Sequence, residues 1–465
     1  MLGVFFFMDK LEKYILLISF LTSFTTIVIV NGLTLAAPSF GSEFAMSNVI
    51  QNWVFVITLL FISAFTIPAG QFCSKFGCKR TLVIGNSIFL IGLILSVISF
   101  SSEMFLFSRV IQGIGYALQI VAGTAIIVLA IDKETRGEAM GIVILGSYIG
   151  YIVSPLLGGF LINHFGWRSI FYIAIPLLAF TILLTVAKVK EDWITNENEK
   201  TDKKGILLYM VGIILLFYGF SYLLTLNGQI SIVLGIIILI LFCIYETKIE
   251  LPVFNIRLLK DKTFLSYNLT GFLEFFAIAV FDILFVYYFQ YVKGLNPQLT
   301  GMVVIVSPIV LAIVSPNAGK LSDRIHPQKL ATIGLCVLFI AIIGVRFLDM
   351  DTPVYVIVLL MVLIALGIGL FSVPNQNAVM SAVSEKYASY ASATQLTLRL
   401  CGQTMGLALW TIVCSFIMGN LPLSIENAGL LVSSSRIVSI VCALLCLIAI
   451  LVSIWGIRAE KTNAS

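Results

Sequence analysis

Of the 465 residues, 60% are apolar and only 11% are charged, where an ordinary soluble domain carries roughly 25% charge. A soluble enzyme of this length would need far more charge on its surface. A membrane β-barrel is excluded as well, because its strands alternate apolar and polar residues, whereas this chain runs apolar for 20 residues and more at a time. A spanning helix needs about 20 such residues, so the composition predicts an all-α, polytopic membrane protein with room for about fourteen spans.

In chain order, apolar stretches run over 14–37, 50–72, 81–100, 104–130, 139–162, 168–188, 205–226, 230–245, 263–292, 298–318, 330–347, 354–380, 388–417 and 434–457. Lys10 and Lys13 precede the first, which carries no convincing small-residue cleavage pattern and reads as a span rather than a signal peptide. Charge fixes the orientation. With the connecting segments numbered alternately, 22 of the 28 Lys and Arg fall on the set that includes both termini, and only Arg168, Lys293 and Arg346 on the other. Basic loops stay in the cytoplasm, so both termini are expected inside the plasma membrane. That requires an even number of spans and supports fourteen. The net charge of +5 therefore reflects topology, and no nucleic-acid partner is expected. The two histidines are far apart, no metal or nucleotide motif is present, and Cys73 and Cys78 alone are a weak metal signal. No enzyme activity, cofactor or metal is expected.

Spans seven and eight carry no mid-span charge and are flanked by the largest basic loops, 189–204 and 246–262. Without them six spans remain on each side. This predicts an N-terminal six-helix bundle over 1–188, an insert of loops and a two-helix hairpin over 189–262, and a C-terminal six-helix bundle over 263–465. The loop after span two, Gly70-Gln71-Phe72-Cys73-Ser74-Lys75-Phe76-Gly77-Cys78-Lys79-Arg80, has a counterpart 249 residues later in Gly319-Lys320-Leu321-Ser322-Asp323-Arg324. Each has Gly, then a small polar or acidic residue four later, then a base. Parallel six-helix repeats are a transporter architecture.

With these residues in view, the sequence resembles the major facilitator superfamily, and within it the fourteen-span drug/proton antiporter branch. The two loops resemble the G-x-L-x-D-R-x-G-R-R motif. Arg109-Val110-Ile111-Gln112-Gly113-Ile114-Gly115 in span four is similar to R-x-x-Q-G-x-G. Gly146, Gly150, Ser154, Pro155, Gly158 and Gly159 in span five resemble the antiporter motif, and Trp167-Arg168-Ser169-Ile170-Phe171 resembles W-R-x-I-F. The chain departs from the pattern where Ser74 replaces the loop Asp, where Ser154 replaces a Gly, and in span one, which has no acid between Glu12 and Glu43. The resemblance implies proton-coupled export of small amphipathic, cationic compounds, with protons as coupling ion. The alternatives are a facilitator or symporter for a nutrient or metabolite, or a membrane sensor. The expected partners are a small-molecule substrate and the bilayer, and the chain is expected to act as a monomer.

Each motif carries a physical expectation. Glycines four apart let helix backbones approach, and Pro155 invites a bend, so span five is either a tight packing element or a seal against leak. Gly70 and Gly319 would allow close helix contact. Asp323 could cap the next helix or pair with a base across the two halves, a lock that would be stronger around Asp323 and Arg324, because Ser74, beside Gly77, Lys79 and Arg80, could cap but not supply charge. Charge inside a span is costly, which singles out Arg109, Glu274, Asp282 and Arg399. Arg109 and Gln112 lie one turn apart and could share a cavity, or Arg109 could simply bond backbone carbonyls. Glu274 and Asp282 lie eight residues apart among aromatics, about 80° around and about 12 Å along a helix. Either could bind a proton in competition with a lipophilic cation, or pair with an arginine. Asn31, Tyr148, Asn375 and Gln376 are softer cavity candidates, and Pro374 suggests a broken helix beside the last two.

Overall fold

The computed structural model describes residues 9–132, 135–194, 202–249, 256–383 and 388–464; the middle parts of both long basic loops, with Lys133 and Lys386, lie outside them. Among the described residues fourteen helices are long and apolar enough to cross a membrane, because a bilayer leaves backbone N–H and C=O groups only each other as partners. They are α1 Lys10–Glu43, α2 Asn48–Phe76, α3 Cys78–Val97, α4 Ser102–Ala130, α5 Arg136–Phe165, α6 Ser169–Lys188, α7 Lys203–Ser221, α8 Leu226–Glu246, α9 Lys262–Val292, α10 Pro297–Ser322, α11 Pro327–Val345, α12 Val354–Ser381, α13 Ala391–Met418 and α14 Ala428–Glu460. The protein is a multi-pass membrane protein. Short polar side chains start several helices: Asp9 and Glu12 form a reciprocal capping box at α1, Ser101 caps α4, and Asp261 caps α9.

The chain packs into two compact units. The first comprises Met1–Met46, Trp53–Ile206 and Asn296–Met302, the second Ser47–Asn52, Leu207–Leu295 and Val303–Ser465. The α7–α8 hairpin therefore groups with the second unit, apart from its first residues. The two helices close on small residues: a Cβ at Gly235 would lie 2.7 Å from Leu216 N, and one at Gly219 would meet the Gly228 carbonyl at 2.6 Å.

A repeat offset by eight helices is written into the packing. In the first unit α1 packs on α5 and α6, and α3 on α4 and α6; in the second α9 packs on α13 and α14, and α11 on α12 and α14. The same electrostatic tie appears in both. Arg168, at the head of α6, donates to the carbonyls of Val97 (3.0 Å) and Ser99 (2.8 Å) at the end of α3 and pairs with Glu43 at 2.7 Å. Arg436, in the first turns of α14, donates to the Leu348 carbonyl just beyond α11 at 3.1 Å and pairs with Asp349 at 3.1 Å. A cation at the C-terminal end of a helix meets the negative end of its dipole. The Met350 amide, and then Arg436, hold the Asp349 carboxyl below its ordinary range, so this pair is intact at neutral pH and is lost only as pH falls through that lowered value.

Span five behaves as a packing element. A Cβ at Gly146 would lie 3.1 Å from the Phe20 carbonyl, one at Gly150 3.1 Å from that of Phe24, and one at Gly158 3.4 Å from Gly32 Cα. Ser154, in the same stripe, donates to the Val28 carbonyl at 2.8 Å. The substitution of Ser for Gly thus adds a hydrogen bond where α1 comes closest. On the opposite edge, a Cβ at Gly159 would lie 2.7 Å from the Pro297 carbonyl. The α-helix is continuous through Pro155. Gly150→Leu should cost about 1–3 kcal/mol by overpacking and lower the unfolding temperature in detergent. Gly123→Leu, at a position with open space, should not; equal loss in both would contradict this packing role.

Candidate functional site

The embedded charges fall into two chemical settings. Arg109 is buried at 2% exposure and Gln112 at 0%. The Arg109 guanidinium donates to the Gln112 side-chain oxygen and to the Val54 carbonyl at 3.5 Å. The Gln112 amide donates to the Gly92 carbonyl at 3.0 Å and to Ser96 at 2.7 Å, and Ser96 is 2.7 Å from Ser108. Gly92 makes room: a Cβ there would meet Gln112 Cγ at 2.6 Å. Arg109 and Gln112 are thus brought together as expected, but in a closed network tying α4 to α2 and α3 rather than facing a cavity. No acid pairs with Arg109 among the described residues.

The second setting is α9. The span is helical from Lys262 to Ile278, turns at Ala279–Val280, resumes over Phe281–Tyr287 and ends in a wider π-helical turn over Tyr288–Val292. The break lies between the two acids, so the eight-residue spacing on one regular helix does not hold. It also separates their environments. Glu274 is 1% exposed, and neither carboxylate oxygen has a hydrogen-bond partner among the described residues. Asp282 is exposed. Arg399 on α13 is also exposed, lies over the Phe275 ring at 4.6 Å, and is near enough to act on Glu274 electrostatically. Neither acid forms an ion pair with Arg109 or Arg399 among the described residues.

Glu274 is enclosed because α13 carries glycines where α9 presses on it. A Cβ at Gly402 would lie 2.5 Å from the Phe272 carbonyl and 3.1 Å from Phe276 N, and one at Gly406 2.5 Å from the Phe276 carbonyl. Gly402-xxx-Gly406 is readable in the sequence as a close-approach motif, the four-residue glycine spacing being the signal. Asn375 on α12 is buried, with its amide 3.1 Å from where a Cβ on Gly271 would sit and its oxygen unpartnered among the described residues. Glu274, Asn375, Arg399 and Phe275 thus form one polar and aromatic patch within the second unit.

The softer candidates are scattered. Asn31 donates to the Ile27 carbonyl of its own helix at 3.0 Å, and Gln376 is exposed. Tyr148 is half-buried on α5. Helix α12 runs unbroken through Pro374, so the expected break there is absent and the real one is in α9. The gating loops differ from expectation too. A Cβ at Gly70 would meet open space, while one at Gly319 would lie 3.2 Å from Val373 Cγ1. Asp323 ends α10 and does not cap α11, whose N-cap residue is His326. Neither Asp323 nor Arg324 forms an ion pair among the described residues. Ser74 bonds backward to the Gln71 carbonyl at 3.0 Å, and Cys73 and Cys78 form a disulfide.

The sequence pattern of the Major Facilitator Superfamily matches residues 15–407. The chain belongs to that superfamily. It is 26% identical over 437 residues to the riboflavin transporter RibZ of Clostridioides difficile, covering 93% of this chain and 94% of that protein. It is 28% identical to the multidrug resistance protein Stp of Mycobacterium tuberculosis, covering 84% of this chain and 74% of that protein. In fold it is similar to a bacterial homolog of the human lysosomal transporter Spinster, with a TM-score of 0.72 at 16% identity over 98% of this chain and 99% of that chain. Gln112→Ala should leave the Arg109 guanidinium short of an acceptor in an apolar setting. A cost of about 1–3 kcal/mol is expected, read as a lower unfolding temperature in detergent. An unchanged temperature would contradict the network.

Proposed function

We propose that the protein is a secondary transporter of the plasma membrane, with both termini in the cytoplasm, that exports small amphipathic cations in exchange for protons by alternating access. The observation that carries the reading is Glu274, a buried carboxyl with both oxygens unpartnered among the described residues, beside an aromatic ring and a cation. A charged carboxylate in such a setting is costly. A proton neutralises it, and so does a bound cation, but one excludes the other. That competition converts a proton gradient into substrate movement, with the α9 break as the place where the helix can flex. Asp282, exposed beyond the break, is the second acid on the proton's route, and the aromatic faces around Phe275 favour a lipophilic cation. The loops at Gly70–Arg80 and Gly319–Arg324 act as gates, and Arg109 and Gln112 hold the first unit's helices in place. The protein uses no cofactor and works as a monomer. The multidrug relatives support the substrate class.

A second reading is favoured by one observation. The match to the riboflavin transporter extends over nearly the full length of both chains, so a planar aromatic metabolite moved without proton exchange is the alternative.

Two measurements separate the readings. In proteoliposomes, an imposed pH gradient should drive ethidium flux; flux indifferent to the gradient would defeat the antiport. Glu274→Gln should lower the gradient-driven rate by at least about tenfold, the equivalent of roughly 1.4 kcal/mol, while Asp282→Asn should have a smaller effect. Full activity in Glu274→Gln would remove Glu274 from the mechanism.

A further inference from the structure

The start of α3 has no cap of its own. Its N-cap residue is Gly77, which supplies no side chain, and Ser74 is turned back into α2. The first amides of a helix need acceptors from elsewhere. They find them in the segment that leaves α6. Trp193 O accepts from Cys78 N at 3.1 Å. Asp192 accepts from Lys79 N at 2.9 Å and from Arg80 N at 3.2 Å, with Arg80 Nε 3.5 Å away. Its side chain is only 15% exposed. Gly77 has φ +100° and a Cβ there would collide with the Asp192 carboxylate, so glycine is required at 77 by backbone shape and by this approach together. Trp193 packs against a buried cluster that includes Cys73, Cys78 and Val189.

We propose that Asp192 is a positioning residue for transport: it supplies the first gating loop with the carboxylate that Ser74 lacks and ties that loop to the end of α6. The repeat supports this independently. In the second unit Glu460, at the end of α14, lies 2.9 Å from the ring of His326, the N-cap residue of α11, and also accepts from the Tyr267 hydroxyl. Helices α3 and α11 begin 249 residues apart, at Cys78 and Pro327. In each half, then, an acid at the end of the sixth helix sits at the head of the third. The arginines Arg168 and Arg436 sit at the third helix's other end. Helices three and six of each repeat are pinned at both ends, with the charge signs that the dipole of the third helix favours. Movement of the loop 73–80 must therefore carry the end of α6 with it or release three amides together.

The inference rests on the proposed gating role of that loop, and its test separates the two. Amide hydrogen exchange of the full chain in detergent should show Cys78, Lys79 and Arg80 exchanging at least about tenfold faster in Asp192→Ala, with the middle of α3 unchanged. Asp192→Asn, which keeps the shape and one acceptor oxygen, should lie between, and serves if the alanine variant folds poorly. In ethidium transport the alanine variant should lose maximal rate several-fold with the half-saturating concentration little changed. Wild-type exchange at 78–80 in both variants would overturn the tie. Faster exchange with an unaltered maximal rate would overturn the positioning role. If the wild-type chain moves no ethidium, the proposed function fails, while the exchange measurement still decides the tie.

Discussion

Charge in an apolar medium has to be neutralised, shared or kept out, and most of this structure follows from that requirement. Twenty-two basic residues lie on one set of loops, since each would cost roughly 2.5–3.5 kcal/mol at the centre of a span. Of the four charges inside spans, Asp282 and Arg399 are exposed, and the two buried ones are held in different ways. Arg109 spreads its charge over the Gln112 oxygen and the Val54 carbonyl, backed by Ser96 and Ser108. Such a satisfied network fixes geometry. Glu274 is held in the opposite way, enclosed with neither carboxylate oxygen hydrogen-bonded among the described residues. A carboxyl left so is free to change its occupant, which is what coupling needs.

The enclosure of Glu274 depends on backbone contact rather than on bulky side chains. Gly402 and Gly406 let α13 lie against the α9 carbonyls, and through the turn at Ala279–Val280 the backbone keeps right-handed helical angles. The first unit uses the same device differently. Gly146, Gly150, Ser154 and Gly158 press α5 onto α1. One unit is thus stiffened by its glycine contacts, while the other uses them to bury an acid. Across both, the repeat places opposite charges at the two ends of α3 and of α11, so the six-helix architecture carries its own electrostatic frame.

Much of the architecture was legible from the chain. The fourteen spans follow from apolar run length and alternating loop charge, and the Gly and Pro pattern of span five points to a close packing. The four embedded charges are also visible, since so few exist. Their fates were not legible. Whether Arg109 faces a cavity or a carbonyl depends on Val54 and Gly92, which lie on other helices. The α9 break has no Pro or Gly at 279–280 to announce it, whereas Pro374, which does suggest a break, sits in an intact helix. Nothing in the sequence marks Asp192 among the loop acids, because its partners at 77–80 are more than a hundred residues away and meet it only after α3 and α6 have packed.

The central claim is that a cation and a proton compete for Glu274, and proton release on binding tests it most directly. Purified protein in weakly buffered detergent solution would be titrated with ethidium while a pH indicator counts protons. Competition at Glu274 would release about one proton per ethidium bound at a pH where Glu274 carries its proton, and none in Glu274→Gln. Ethidium binding without proton release, or the same release from the glutamine variant, would contradict it.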